Sequence, residues 1–188
     1  MVSNAFPKLL GDLVNLRELS VNDAHDISNL MNHNISKYLY DLPDPYSVQD
    51  ALNFIKTAHN DFKSLRALHF AIEYKGKSER RTNNSNNLVL VGSIGIKNID
   101  LINKKANLGY WIGEQYWGRG IVTECVRLII DYAFSSELGL KEISAYVFPE
   151  NKASIHILEK NGMKKKGEVN EYHEISKRYR NSLKYVIV

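Results

Sequence analysis

The spacing of apolar residues divides the first part of the chain into a strand and two helices. Apolar positions alternate over residues 13–19, which predicts a strand, and Asn22 is placed to cap a short helix after it. A second helix is predicted over residues 48–62, because Ser47 and Asp50 have the spacing of a capping box.

Two further strands are predicted before the middle of the chain. Residues 68–74 and 88–96 are rich in apolar and β-branched side chains, which favour strands. The polar stretch KGKSERRTNNSNN joins them, and its composition is typical of a hairpin loop.

The second half of the chain has the pattern of a βαβ unit. Residues 106–112 and 142–148 predict strands, and residues 119–134 between them carry the broad apolar face of a packed helix. Gly139 is a suitable terminator for that helix. Strands joined through one helix are expected to be parallel neighbours in a sheet.

The end of the chain is predicted to hold one more helix and one more strand. Asn151 begins the helix, and Asn161 with Gly162 ends it. The remainder is predicted to be a long polar connection, closed by an apolar strand at residues 185–188. With 188 residues, 44% apolar composition, no repeat and no linker, the sequence predicts a single domain over residues 1–188.

Charge and cysteine content narrow the classes of function. Lys and Arg number 25 against 21 Asp and Glu, so the net charge of +4 is too small and too dispersed for a nucleic-acid partner. The one cysteine, Cys125, forms neither an internal disulfide nor a cysteine-based metal cluster, which fits a reducing compartment. The N-terminal stretch does not resemble a signal peptide, and no apolar run approaches the ~20 residues of a membrane span. We therefore expect a cytoplasmic protein without a metal or a membrane partner.

The turn inside the βαβ unit holds the candidate chemistry. Gly118 and Gly120 remove the side chains that keep an anion away, and the helix that follows supplies unpaired amides and a positive dipole end. This pattern indicates a phosphate cradle, with a plain tight turn as the alternative. A triphosphate loop would need Gly-Lys-Ser or Gly-Lys-Thr, which the turn lacks. A dinucleotide fingerprint would need glycine where Thr123 stands, although Glu150 is placed as a ribose-binding acid would be.

Two ordered motifs resemble one known family. The stretch GYWIGEQYWGRGIVTE closely resembles the (Q/R)xxGx(G/A) motif of the GNAT acetyltransferases, with Gln115, Gly118 and Gly120 at the motif positions. The later stretch NKASIHILEKNGM resembles the Rim-type N-terminal acetyltransferases of ribosomal proteins in particular. The resemblance extends over most of the chain, and residues 75–87 look like a local insertion.

The resemblance implies a fold and a cofactor. The implied fold is an α/β (α+β) GNAT fold, with a mixed, mainly antiparallel sheet of six or seven strands, flanking helices and two splayed parallel central strands. The implied cofactor is acetyl-CoA, with CoA as product, bound in the splay. The residues that would hold it are Trp111, Ile112, Gln115, Trp117, Gly118, Arg119, Gly120, Ile121, Val122, Asn151 and Ser154.

Acetyl transfer requires a neutral amine, stabilisation of an oxyanion and a departing thiol. Backbone amides of the splayed strand would hold the oxyanion, and Ser154 is the candidate that assists the sulfur. Asn107 stands where relatives often carry a glutamate, and it cannot accept a proton. Glu174 is therefore the candidate base, with His173 beside it as the alternative. Cys125 falls on the apolar helix face, so we expect direct transfer without an acetyl-enzyme.

The acceptor is expected to be a protein or peptide N-terminal amine. The reference pKa of an α-amine is about 7.7–8.0, so a weak base suffices, whereas a lysine at about 10.4 demands a strong one. The prolines at 43 and 45 lie in a loop that in Rim-type enzymes borders the acceptor cleft. A small-molecule amine as acceptor, or a CoA- or nucleotide-binding sensor module without activity, stays open at this point, and so does the choice between monomer and homodimer.

Overall fold

A computed structural model of the chain describes residues 5–39, 42–76, 88–173 and 177–188. Within these residues one sheet has the strand order β1-β2-β3-β4-β5-β6-β8-β7. The strands are β1 Leu9–Leu10, β2 Val14–Glu18, β3 Ala67–Tyr74, β4 Val89–Asp100, β5 Lys105–Ile112, β6 Glu142–Val147, β7 Lys164–His173 and β8 Arg178–Ile187. The helices are α1 Ala24–Leu30, α2 His33–Ser36, α3 Val48–Lys63, α4 Ile121–Phe134 and α5 Lys152–Lys160, and Val21–Asp23 and Glu114–Tyr116 are 3-10 turns.

The sheet splays between its two central strands. β5 and β6 pair in parallel from Lys105 with Glu142 as far as Leu108 with Ala145, and every other strand pair is antiparallel. Beyond that point β5 continues with β4 to Ile112, while β6 continues with β8. The expected mainly antiparallel α/β sheet with parted parallel strands is confirmed.

Helices cover both faces of the sheet. The larger apolar core lies between the sheet and α4, and a second cluster joins α1 and α3 to the opposite face. Among the described residues, no helix combines the length and the apolar character needed to cross a membrane.

One of three predictions for helix ends is confirmed and two are wrong. Ser47 and Asp50 form the expected capping box at the start of α3. Asn22 as a cap was wrong, because Ser20 caps the 3-10 turn and accepts the Asn22 amide, while Asp23 completes a capping box. Gly139 does not end α4. The helix stops at Phe134, and Gly139 is in the left-handed conformation in the turn that leads to β6.

The predicted long connection near the end of the chain was wrong. Lys164–His173 and Arg178–Ile187 are instead the antiparallel strands β7 and β8, which pair from Lys164 with Val186 to His173 with Arg178. β7 has the sequence KKKGEVNEYH and is largely exposed, so it lacks the alternating apolar pattern by which a strand is found in a sequence. The predicted strand at residues 185–188 is part of β8, and the additional strands β7 and β1 bring the sheet of the described residues to eight strands rather than six or seven.

Candidate active site

The splay opens toward the first turn of α5. Asn151 caps that helix, and its side-chain oxygen accepts the Ser154 amide at 3.1 Å. From the β5 side, the Tyr110 hydroxyl donates to the Ser154 carbonyl at 3.4 Å. Burial raises the pKa of Tyr110 to about 12, so its hydroxyl keeps its proton at neutral pH. The predicted pair of Asn151 and Ser154 therefore lies at the splay, next to a tyrosine that the sequence analysis missed.

The glycine turn has the conformation that an anion cradle requires. Gly118 has φ +73° and Gly120 has φ +77°, both in the left-handed region that side chains other than glycine rarely adopt. No atom of the described residues lies within 4 Å of where a Gly118 Cβ would be. In the part of the chain that the structure describes, no backbone amide from residue 118 to residue 123 donates to a backbone carbonyl. The start of α4 thus presents a row of open donors.

Arg119 adds positive charge beside those donors. Its guanidinium carbon lies 5.6 Å from the centroid of the Tyr116 ring, and no ion pair of Arg119 is found among the described residues. α4 begins at Ile121 rather than at the predicted residue 119, so Arg119 lies just before the N-cap Gly120, where the positive end of the helix dipole opposes a cation. An anion bound at the turn would remove that opposition.

The other predicted cofactor residues line the same path. The Trp117 indole donates to the Ile112 carbonyl at 3.1 Å and is 47% exposed. Ile121 and Val122 are buried in the core, so only their backbone amides are open to a ligand. Gln115 is exposed beside the turn, and Trp111 packs partly buried against the α1–α3 cluster.

The Glu124 carboxylate connects the first turn of α4 to the loop between β1 and β2 at one edge of the sheet. Glu124 accepts the Leu13 amide at 2.8 Å through Oε2 and the Asp12 amide through Oε1. Its side chain is only 10% exposed. The glycine turn is therefore anchored one helical turn away from the open amides.

Helix α2 bridges the mouth of the splay on the α1–α3 side of the sheet. Asn32 and Asn34 donate to the Glu114 carboxylate, which follows β5. At the other end of the bridge, Arg180 of β8 donates to the Lys37 carbonyl at 3.0 Å. These contacts connect the β5 side of the splay to its β6–β8 side.

Arg180 also organises a small cavity beside this bridge. Its guanidinium carbon lies 3.3 Å from the Phe148 ring centroid, and Nη2 donates to Glu150 Oε1 at 2.9 Å. The Arg180 side chain is 16% exposed and that of Glu150 is 57% exposed, so the pair presents its carboxylate to solvent. The cavity has a volume of about 290 Å³ and is lined by Pro149, Glu150, Tyr179, Arg180 and Asn181.

The sequence-predicted residues separate into three groups. Asn151, Ser154 and the turn residues come together around the splay and the start of α4. Cys125 is fully buried in the core, and burial raises the pKa of its thiol, which leaves it protonated and inert. Glu174 lies outside the described residues, as does the side chain of His173, so neither base assignment is tested and both stay predictions.

Tyr110 and Arg180 were missed for different reasons. Tyr110 belongs to the GYW stretch of the first motif, so the sequence did carry a signal for it. Arg180 stands 30 residues from Glu150 with no pattern that relates them, and only the sheet brings them together.

Comparisons with known proteins agree with this geometry. A family model described as "Acetyltransferase (GNAT) domain" matches residues 14–164. The uncharacterized N-acetyltransferase YoaA of Bacillus subtilis (strain 168) is 30% identical over 168 residues, which span 89% of this chain and 88% of that protein. The spermidine N(1)-acetyltransferase of Escherichia coli (strain K12) is 28% identical over 174 residues, or 93% of this chain and 85% of the relative. Among solved structures, RimJ of Mycobacterium smegmatis in complex with CoA-disulfide has a TM-score of 0.80 at 24% identity, covering 93% of this chain and 81% of that one.

Proposed function

The chain belongs to the GNAT acetyltransferase family, and from this premise we propose that it transfers acetyl from acetyl-CoA directly to a protein or peptide N-terminal amine. The observation that carries this proposal is the coincidence of the open amides at residues 118–123 with the parting of β5 from β6. One feature accommodates an anionic phosphate chain, and the other opens the sheet where a thioester has to meet an amine.

The donor is proposed to lie along β5 and across the start of α4. The amides of residues 118–122, with Arg119, would hold the pyrophosphate, flanked by Gln115 and Trp117. The backbone of Trp111 and Ile112 would face the pantetheine arm, and Asn151 and Ser154 would stand near the sulfur. Of the two Ile112 backbone groups, only the amide would bind the pantetheine arm, because the carbonyl already accepts a hydrogen bond from the Trp117 indole.

When bound, acetyl-CoA supplies an acyl carbon that an amine can attack. Backbone amides at the splayed end of β5 would hold the carbonyl oxygen as negative charge develops on it. The Ser154 hydroxyl would donate toward the departing sulfur. Since Cys125 is buried with a raised pKa, the protein offers no thiolate there to carry the acetyl group.

The cavity beside Arg180 supports an acceptor with a single charged amine. The exposed Glu150 carboxylate and the Tyr179 ring, 68% exposed, form a pair of groups that attracts an ammonium. Two other acids near this mouth are engaged, since Glu114 accepts two asparagine amides and Asp44 bonds His33 at 2.6 Å. Among the described residues, Glu150 is the exposed acid of this cavity, and because its Oε1 already pairs with Arg180 it can take at most one ammonium, which suits a peptide terminus better than a substrate with several ammonium groups.

A polyamine is the second candidate acceptor. The observation in its favour is the 28% identity to a protein named spermidine N(1)-acetyltransferase over most of both chains. A polyamine would present ammonium groups at both ends, and reference amines of this kind stay almost fully protonated at neutral pH. Its transfer would therefore demand a stronger base than a peptide terminus does.

Release of free thiol from acetyl-CoA tests the proposal. The acceptors are a peptide with a free N-terminus, the same peptide with its N-terminus blocked, and spermidine, all at pH 7.5. We expect turnover with the free peptide and none with the blocked one. Equal turnover of the two peptides, or turnover with spermidine alone, would refute the α-amine assignment.

A further inference from the structure

A row of three residues crosses the sheet on the face covered by α1 and α3. His69 of β3 is the direct partner of Gly95 of β4, and Gly95 is the direct partner of Gly109 of β5. Direct partners in antiparallel strands lie on the same face of the sheet. The contact of His69 with Phe54 of α3, at 5.5 Å between ring centroids, shows that this face is the helix-covered one.

Because Gly95 and Gly109 have no side chains, they contribute no side-chain atoms to this row between His69 and the splay. A Cβ at Gly95 would lie 2.3 Å from the Leu68 carbonyl and 3.2 Å from His69 Nδ1, so the imidazole extends over Gly95. Gly109 is exposed, and within the described part of the chain no atom lies within 4 Å of where its Cβ would be. Neighbouring strands lie about 4.8 Å apart, and the imidazole spans the distance from β3 to β4. Between β4 and β5, no atom of the described residues stands within 4 Å of the Gly109 Cβ position.

Gly109 is also the first β5 residue beyond the paired segment of the splay. Parallel pairing ends at Leu108, and Gly109 stands between Asn107 and Trp111 on the face toward α3. An acceptor amine that reaches the splay from this face passes over Gly109. The imidazole of His69 thus borders the space that the amine must cross.

The surroundings of His69 keep its imidazole in the neutral form, which can accept a proton. Its side chain is 21% exposed, so it is reachable from solvent while most of its surface is packed. Burial, with a smaller effect of the Lys97 ammonium on β4, lowers the pKa of His69, and Asp61 on α3 opposes that shift. Asp61 Oδ2 lies 4.0 Å from Nε2, on the side of the ring opposite Nδ1. The imidazole is therefore neutral at pH 7 and free to accept a proton.

We propose that His69 is the proton acceptor for the amine, directly or through one water that stands over Gly109. The proposal rests on the proposed function, because it assigns a role in the same acetyl transfer. His69 would take the role of proton acceptor, which Asn107 cannot fill because an amide side chain accepts no proton at neutral pH.

The protons and bonds balance as follows. The ammonium of the acceptor gives one proton to His69, which leaves a neutral amine and an imidazolium. The amine nitrogen bonds to the acyl carbon, the carbon–sulfur bond breaks, and the second amine proton passes to sulfur to give the free thiol. The imidazolium then releases its proton to solvent, so the net products are an amide, a thiol and one proton.

Replacement of His69 by glutamine tests the proposal through the pH dependence of kcat at saturating acceptor. The wild-type kcat should stay level at least down to the reference histidine pKa of about 6.5, since burial lowers the pKa of His69 below that reference. In His69→Gln the amine must lose its proton unaided, so kcat should fall already below about pH 8. Relative to the wild type, we expect the kcat of His69→Gln to be lower on the order of 100-fold at pH 7 and about 5-fold or less at pH 9.

His156→Gln is the matched control, because His156 is exposed on α5 away from this row. It should keep the wild-type kcat and pH profile, and CoA affinity by calorimetry should be unchanged in both variants. A His69→Gln protein with wild-type kcat at pH 7 would overturn the proposal. An equal loss at every pH would also overturn it, because that result indicates a packing role.

Two variants that keep His69 give a second test. Lys97→Gln removes a positive charge that disfavours the imidazolium, so the acidic limb of the wild-type kcat profile should move to higher pH. Asp61→Asn removes a negative charge that favours it, so the limb should move to lower pH. Shifts in the same direction, or no shift in either variant, would contradict the assignment.

The acceptor for these profiles is whichever amine the wild type acetylates fastest. If that amine is not a peptide, the proposed function fails while the test of His69 still runs. If it is a peptide and His69→Gln matches the wild type, the proposed function stands and the inference fails.

Discussion

Glu124 accepts the backbone amide of Leu13 at 2.8 Å, although 111 residues separate them in the chain. The same carboxylate accepts the Asp12 amide. One side chain in the first turn of α4 therefore fixes the connection between β1 and β2 next to the glycine turn.

Glu124→Ala should lower stability because it leaves those two amides without an acceptor. We expect a loss of about 2–3 kcal/mol in the free energy of unfolding and a fall in Tm of roughly 5–10 °C. Thermal unfolding by circular dichroism measures the change. Asp131→Ala on the same helix is the control, since Asp131 is 64% exposed and should change stability by no more than about 0.5 kcal/mol.

Gly118→Val should weaken CoA binding because a branched side chain would enter the proposed path of the pyrophosphate. The substitution also strains a backbone with φ +73°. Gly139→Val imposes the same kind of strain at φ +64° but lies away from the turn, and among the residues that the structure describes no atom lies within 4 Å of its Cβ position. We expect calorimetry to show a loss of CoA affinity of at least about tenfold, or 1.4 kcal/mol, in Gly118→Val alone. Equal affinity in the two folded variants would remove the turn from the CoA site.

Gly109→Ala should impair acceptor binding without harming the fold. Its methyl group meets no atom of the described residues within 4 Å, and alanine is the better strand residue by about 0.5–1 kcal/mol. Since that methyl group enters the space over the row with His69, the acceptor KM should rise several-fold while CoA affinity is kept. Gly167→Ala in β7 also has open space and serves as the control with wild-type kinetics. An unchanged acceptor KM in Gly109→Ala would place the acceptor elsewhere.

Cys125→Ala should keep most of the activity because the thiol is fully buried and its pKa is raised by burial. The lost packing should cost about 1 kcal/mol, which lowers Tm by roughly 2–4 °C. Intact-mass measurement after incubation with acetyl-CoA should find no acetylated intermediate. A mass increase of one acetyl group that disappears in Cys125→Ala would contradict direct transfer.

Ser154→Ala should lower kcat by more than it lowers CoA affinity, because the hydroxyl is proposed to act on the departing sulfur. The helix should persist, since it is the Ser154 backbone that bonds to Asn151 and Tyr110. Asn151→Ala removes the cap instead, so it should cost about 1 kcal/mol of stability. Stopped-flow thiol release and calorimetry separate the two effects, and equal losses of kcat and affinity in Ser154→Ala would refute its role at the sulfur.

Local features of the sequence were enough to predict a large part of this protein. The capping box of Ser47 and Asp50, the apolar face of α4 and the left-handed turn at Gly118 each depend on residues within a few positions of one another. Steric and hydrogen-bonding preferences at that range act before any tertiary contact forms. The motifs that surround the glycine turn then led to the family, and the family model confirmed it.

Only the tertiary structure decided which distant residues share the site. β7 has no apolar periodicity, and it joins the sheet because it pairs with β8, which pairs with β6. Arg180 meets Glu150, and His69 meets the glycines of two other strands, through a register fixed by the whole sheet. Strand register minimises the free energy of the entire core, so no short stretch of sequence contains it, whereas a helix cap or a glycine turn is determined by its own few residues.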